Sequence, residues 1–157
     1  MRTPRPMRPP IEFCAIVAVL LALYSAPPAY AADISGKAQI VDGGTIIIAR
    51  QTIQLEGIST PAFTERCGPA ESGWHCGQEA AFALADMVGR TWVECDLRDA
   101  GTLQRLIGVC RVGGPKGRDL GAWMVKRGWA RSAGRYAALE KAAKASGIGL
   151  WRGARPK

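Results

Sequence analysis

Hydrophobic and β-branched residues recur along residues 34–58 in a pattern typical of β-strands. Thr45-Ile46-Ile47-Ile48 follows Asp42-Gly43-Gly44, whose glycines permit a tight turn. Thr52-Ile53-Gln54-Leu55 comes next, after Arg50-Gln51. The segment therefore predicts two β-hairpins in succession.

The spacing changes to intervals of three and four after residue 77, which predicts a helix over Gln78–Val88, ended by Gly89. Residues 60–77 are rich in glycine and proline and predict a long loop. Residues 92–95 and 106–112 are rich in branched and aromatic residues and predict two paired strands.

The last third of the chain predicts two more helices. Asp119 is placed to cap a helix that ends at Gly128, and its hydrophobic residues are Leu120, Trp123 and Met124. A final helix is expected from about Arg135 to Ala145, closed by Gly147, with Tyr136, Leu139 and Ala143 facing inward. No repeat or linker separates these elements, which indicates a single α+β domain.

The first 31 residues have the three-part pattern of a secretory signal peptide. Three arginines precede an apolar run from Phe13 to Ala26, and Ala29-Tyr30-Ala31 resembles a cleavage site. The run has 14 residues, short of the about 20 that span a bilayer. We expect residues 1–31 to be a signal peptide and 32–157 the mature domain, with a core at about 34–152. The protein would then be exported to the periplasm or the medium, without a stable membrane anchor.

Four cysteines remain after residue 31, which in an exported chain predicts two disulfides. Three pairings are open. The predicted elements favour the local pairing, Cys67 with Cys76 and Cys95 with Cys110, because the second pair would face each other across two paired strands.

The net charge of +8 is unevenly distributed. Residues 32–110 have 6 basic and 10 acidic side chains, whereas residues 111–157 have 12 basic and 2 acidic. A concentration of cations in the last third favours a polyanion such as nucleic acid as partner, although a solvated charged face would have the same composition.

Several segments, in order, resemble the staphylococcal nuclease family. They are Gln39-Ile40-Val41-Asp42-Gly43-Gly44-Thr45, Ile53 to Pro61, Leu120 to Ala130 and Gly149-Leu150-Trp151. The resemblance implies a five-stranded Greek-key barrel of the OB type with three helices. It also implies phosphodiester hydrolysis assisted by one calcium ion, held by carboxylate and carbonyl oxygens, with two arginines on the phosphate.

This chain departs from the family pattern at most of the functional positions. Gly44 and Ser59 stand where the family has metal-binding aspartates, so the resemblance leaves Asp42 and Thr60 as residual metal ligands. Ala62 replaces the glutamate that is assigned to activating water, and Gln54 replaces the first arginine. Loss of a general base costs about 10²–10⁴ in rate, and loss of a charge-stabilising donor about 10²–10³.

The resemblance and the charge together predict a catalytically impaired, exported domain that binds nucleic acid or another polyanion. No cofactor is expected, or calcium if activity remains. Arg105 is the retained candidate catalytic residue, and the candidate nucleic-acid contacts are Arg105, Lys126, Arg127, Arg131, Arg135 and Tyr136. Two alternatives stay open: an active metal-dependent nuclease using Arg105 with Glu56 or Glu65, and a non-catalytic interaction module of the cell envelope.

Several side chains have a plainer expected role. We expect Glu56 to face solvent and Glu65 to be an exposed loop acid. Trp92, Trp123, Trp129 and Trp151 have spacings that favour packing in the core over stacking on bases.

Overall fold

The computed structural model describes residues 33–69, 71, 73–98 and 106–152. The predicted signal peptide and Arg105 lie outside these residues. The described strands are β1 (Asp33–Gly36), β2 (Gln39–Ile40), β3 (Thr45–Ile48), β4 (Gln51–Leu55), β5 (Ile58–Ser59), β6 (Val93–Arg98), β7 (Leu106–Val112), β8 (Arg118–Asp119) and β9 (Arg131–Ser132). The helices are α1 (Cys76–Val88), α2 (Leu120–Lys126) and α3 (Ala137–Ser146), followed by a 3₁₀ turn at Gly149–Trp151.

The main sheet has the order β1-β6-β7-β4-β3-β2, and β8 pairs with β7. Strands β1 and β2 lie at opposite ends of this order, although Lys37 and Ala38 alone separate them in sequence. The sheet therefore curls back toward its own start, and β1 with β2 acts as one divided first strand. Counted in this way, the barrel has five strands: β1 with β2, then β3, β4, β6 and β7. Strands β4 and β7 pair in parallel, and the other neighbours are antiparallel. The predicted five-stranded OB-type fold with three helices is confirmed.

The core lies inside this curled sheet, against α1 and α2. Alternate residues of β3 and β4 face inward, so Ile46, Ile48 and Ile53 are fully buried. Leu84 of α1 and Met124 of α2 cover them from the helical side and are also fully buried. Trp92 is 61% exposed, so its expected place in the core is wrong.

Both predicted disulfides are present in their local pairing. Cys95 lies directly opposite Cys110 in the register of β6 and β7. Cys67 is bonded to Cys76, the first residue of α1, so the predicted loop is tied to that helix. The backbones of Cys67 and Trp74 also exchange two hydrogen bonds, both 2.9 Å, which makes this loop more ordered than its composition indicates.

The helix ends agree closely with the sequence signals. Asp119 Oδ1 accepts a hydrogen bond from the Ala122 backbone N–H at 2.9 Å, as expected of an N-cap. Gly147 closes α3 in the left-handed conformation, with φ of 60°. Helix α1 begins two residues earlier than predicted because it starts at the disulfide. Among the described residues, no helix is both long and apolar enough to cross a membrane.

Candidate functional site

A cleft of about 450 Å³ lies where the turn before β3 faces the end of β5. Helix α1 fixes both walls through close contacts at glycines. A Cβ at Gly43 would lie 2.9 Å from Ala80 Cβ, and one at Gly77 would lie 1.8 Å from the Ala62 carbonyl oxygen. Any larger side chain at either glycine would therefore push a wall away from the helix.

The cleft is lined mainly by neutral groups. Its described lining includes four hydroxyl side chains, one amide and one carboxylate, which are Thr45, Thr52, Ser59, Thr60, Gln54 and Asp42; the rest of the lining is Val41, Gly44, Ile58, Pro61 and Ala62. The carboxylate is partly used by the backbone, because Asp42 Oδ1 accepts a hydrogen bond from Gly44 N–H at 2.7 Å. This bond closes the turn and holds Asp42 at its base.

The Thr60 hydroxyl occupies the space beside Gly44. A Cβ built on Gly44 would lie 2.8 Å from Thr60 Oγ1 and 3.3 Å from its Cγ2. An aspartate at position 44 would therefore require the Thr60 side chain to rotate. The packing beside position 44 therefore suits a residue without a side chain.

The described lining does not fit a calcium ion. Calcium takes six to eight oxygen ligands, including several carboxylates. Here the described residues supply Asp42, already bonded to the turn, together with hydroxyl and backbone oxygens. Asp42 and Thr60, the candidate residual ligands, do lie on the same cleft, but with no second acid among the described lining residues.

Glu56 is half-buried and paired, so the expectation that it faces solvent is wrong. Its carboxylate oxygens lie 3.4 Å from Arg98 Nε and 3.6 Å from Arg135 Nη1. Glu56 is not part of the cleft lining. The curl of the sheet brings β6 and the start of α3 to the β4–β5 turn, and the sequence gives no local sign of this approach.

Glu65 is exposed in the loop, as expected, and also bonds to position 62. Its Oε2 accepts a hydrogen bond from the Ala62 backbone N–H at 3.1 Å. It lines a second pocket of about 400 Å³ beside the cleft, with Thr60, Arg66 and Arg131. Glu65 also lies near the sulfurs of Cys67 and Cys76, but the disulfide removes those sulfurs as metal ligands.

The four described cations among the candidate nucleic-acid contacts are divided among three places. Arg131 lies opposite Ser59 in the register of β5 and β9, and its guanidinium lies 5.6 Å from the ring centre of Trp151. Arg135 pairs with Glu56. Lys126 and Arg127, at the end of α2, line a separate pocket with Trp123.

Tyr136 is buried, and its hydroxyl group is engaged within the fold. The hydroxyl donates a hydrogen bond to Asp119 Oδ2 at 2.9 Å. Burial, followed by this bond to Asp119, raises the pKa of Tyr136 to about 12. The phenol is therefore neutral at physiological pH and helps to position α3 against α2.

The sequence did not predict the contact of Arg152 with two tryptophan rings. The Arg152 guanidinium lies 4.5 Å from the ring centre of Trp74 and 5.3 Å from that of Trp129. It also forms an ion pair with Glu79 at 2.9 Å. Arg152 and Glu79 are 73 residues apart, so no local pattern could have indicated the pair.

The protein has an OB-type barrel, three helices and a cleft between the β2–β3 turn and the end of β5. These features place it in the class of small OB-type barrel domains. A family model described as staphylococcal nuclease homologue matches residues 52–153, about two thirds of the chain. The chain belongs to the staphylococcal nuclease family.

A curated relative shares this assignment over a longer stretch. The chain is 33% identical over 145 residues to the succinoglycan biosynthesis protein ExoI of Rhizobium meliloti (strain 1021). The match covers 87% of this chain and 75% of that protein. It therefore extends beyond the segment that the family model matches.

Proposed function

We propose that this protein is a catalytically impaired member of the staphylococcal nuclease family that binds nucleic acid without cleaving it efficiently. The observation that carries the proposal is the neutral lining of the cleft. Gly44, Gln54, Ser59 and Ala62 line it, at positions where the resemblance leads us to expect three acids and an arginine. Among the described lining residues, a phosphodiester placed in this cleft would meet few groups able to hold a cation or activate water.

The distribution of cations supports binding. Residues 111–157 have 12 basic and 2 acidic side chains, and Lys126, Arg127 and Arg131 are exposed. Arginines and lysines on such a surface neutralise phosphates and release counterions, which gives affinity without base recognition. The family assignment makes nucleic acid the first polyanion to test.

We also propose that the protein is exported after cleavage behind Ala31. The two disulfides support this, because such bonds persist in oxidising compartments and are rare in the cytosol. The periplasm or the surrounding medium would then be the place where the protein acts.

A second candidate function is binding of a glycan as an envelope interaction module. The hydroxyl and amide side chains of the cleft favour it, because OB-type surfaces bind oligosaccharides as well as oligonucleotides. The name of the relative, which refers to the biosynthesis of succinoglycan, points in the same direction. An uncharged oligosaccharide that binds with little salt dependence, in the absence of DNA binding, would favour this candidate.

The impaired-site proposal is tested by titrating calcium into the purified protein and then adding single-stranded DNA. We expect calcium binding too weak to measure at micromolar protein and no calcium-dependent cleavage. Loss of the base and of one arginine alone predicts a rate lower by about 10⁴ or more. A calcium-dependent nuclease of the same family, assayed under identical conditions, is the positive control.

Efficient calcium-dependent cleavage would contradict this proposal and support the active-nuclease alternative. In that case Arg105→Ala and Glu65→Ala should each reduce turnover sharply. Cleavage with another divalent metal would have the same meaning, and the same two variants would test it.

A further inference from the structure

A second cationic pocket lies apart from the central cleft, between α2 and α3. It has a volume of about 390 Å³ and is lined by Arg118, Asp119, Ala122, Trp123, Lys126, Arg127 and Leu139. None of these residues lines the cleft. Its volume is within the range of about 300–1,000 Å³ that is typical of small-molecule sites.

The pocket carries an excess of positive charge. Three of its residues are cations, and within the described part of the chain none of the three forms an ion pair with an acid. The side chain of Arg118 contacts Met87 Sδ at 3.4 Å, and the Arg127 guanidinium lies 5.8 Å from the ring centre of Trp123. Neither contact neutralises a charge.

Helix electrostatics explains part of this arrangement but not Arg118. Lys126 and Arg127 lie at the C-terminal end of α2, where cations are favourable. Arg118 precedes the N-terminal end of the same helix, where a cation is unfavourable. The one acid of the pocket, Asp119, already accepts hydrogen bonds on both carboxylate oxygens, from Ala122 N–H and the Tyr136 hydroxyl.

Trp123 and Leu139 give the pocket an apolar wall. Both are half-buried and pack against the core, so the indole is held in place from behind. A fixed indole is a platform for a flat heterocycle, and two guanidinium groups with one ammonium are suited to a phosphate. The occupant that satisfies both features is a planar ring that carries an anionic group.

We propose that this pocket binds one nucleotide, with its base against Trp123 and its phosphate held by Arg118, Lys126 and Arg127. The inference rests on the proposed function for its ligand class. The pocket is separate from the central cleft, but two of its cations, Lys126 and Arg127, are also among those that we propose for nucleic acid. The nucleotide is either free or the phosphorylated end of a strand, since both present the same chemistry.

The test is calorimetric titration of the full-length protein with AMP, adenosine, inorganic phosphate and glucuronate. We expect AMP to bind at least tenfold more tightly than adenosine, phosphate or glucuronate, because it alone uses both the cations and the indole. Trp123→Leu and Arg118→Gln should each weaken AMP binding about tenfold. Arg90→Gln, which removes an exposed cation on the α1–β6 connection, should leave it unchanged.

A 5′-phosphorylated oligonucleotide and its unphosphorylated form separate the two sources. If the protein prefers the phosphorylated strand and Arg118→Gln abolishes that preference, the ligand of the pocket is a strand end. If both strands bind equally and AMP still binds, the ligand is a free nucleotide. Either result supports the site. Arg118 is exposed, so Arg118→Gln tests it even if Trp123→Leu fails to fold.

Three outcomes would overturn the inference. Glucuronate binding as tightly as AMP would show that the ring is a sugar and not a base. If AMP does not bind but oligonucleotide binding remains salt-dependent, the pocket is not a nucleotide site, and the proposed function still stands. Loss of oligonucleotide binding as well would contradict both.

Discussion

A single carboxylate, Asp119, joins two elements of the helical side. One oxygen caps the N-terminus of α2 and the other accepts the Tyr136 hydroxyl that precedes α3. The sequence predicts the cap, because the signal lies within three residues of the helix. The second bond spans 17 residues and depends on how α2 and α3 pack.

Replacement of Tyr136 by phenylalanine should lower stability and change its dependence on pH. Removing the hydrogen bond costs about 1 kcal/mol near pH 8. The folded-state pKa of about 12 exceeds the ordinary value of 10.0, so the wild-type contribution is complete below pH 10 and is lost as pH rises toward 12. Between pH 9 and 11 the free energy of unfolding should therefore fall less in Tyr136→Phe than in the wild type.

Urea unfolding at pH 8, 9, 10 and 11 measures both effects. Ser132→Ala is the matched control, because Ser132 Oγ accepts a hydrogen bond from Tyr136 N–H at 3.0 Å but does not titrate in this range. It should lower stability and keep the wild-type pH dependence. Equal pH dependence in wild type and Tyr136→Phe would show that the phenol does not titrate as described.

The turn of the β3–β4 hairpin lacks the glycine or asparagine that usually indicates such a turn in a sequence. Ala49 and Arg50 both have positive φ, 49° and 66°, between the closing pair Ile48 and Gln51. A two-residue turn of this kind favours asparagine or glycine, and a residue with a Cβ in the left-handed region costs about 1–2 kcal/mol. The strand register that buries Ile46, Ile48 and Ile53 leaves only two residues for the turn, so the strained conformation is retained.

Arg50→Gly should stabilise the protein by about 0.5–1 kcal/mol. Relief of the left-handed strain exceeds the added flexibility of glycine in the unfolded chain. Arg50→Ala removes the same charge but keeps the Cβ, so it should stay within about 0.5 kcal/mol of the wild type. Thermal unfolding of the three proteins decides the matter, and an Arg50→Gly protein less stable than Arg50→Ala would refute the strain argument.

At the scale of the whole molecule, charge is segregated along the chain. Residues 32–110 have a net charge of −4 and residues 111–157 one of +10. Some of these cations form ion pairs within the fold, such as Arg135 with Glu56 and Arg152 with Glu79. Lys126, Arg127 and Arg131 are exposed, and we propose that they contact nucleic acid.

Binding of a single-stranded oligonucleotide should weaken as salt increases. Each phosphate contact contributes about −0.7 to the slope of log affinity against log salt, so replacing Lys126, Arg127 and Arg131 by glutamine should reduce the slope by about 2. Fluorescence anisotropy at several potassium chloride concentrations measures this slope.

The matched control has Lys37→Gln and Arg90→Gln, which remove two exposed cations from the acidic part of the chain. This variant should keep the wild-type slope. A slope near zero in the wild type would mean that the cationic surface does not contact phosphate. Equal slopes in all three proteins would place the contacts elsewhere.

Much of the fold could be predicted from the sequence, because its signals act over short distances. Alternation in β3 and β4, the Asp119 cap, the Gly147 terminus and the facing Cys95 and Cys110 each depend on neighbours or on one strand pair. Residues that line the cleft could also be predicted from the resemblance, because Gly44, Gln54, Ser59 and Thr60 lie within short ordered motifs.

Contacts between residues that are distant in sequence depend on how the curled sheet closes. Glu56 meets Arg98 and Arg135, Thr60 lies beside Gly44, and Arg152 lies against Trp74 and Trp129. The pocket between α2 and α3 likewise joins β8 to both helices. The sequence alone thus determined which elements form and which residue types stand at the cleft. Side-chain contacts across tens of residues depend on packing that no local pattern encodes, so the tertiary structure decided which charges are paired and where a ligand could bind.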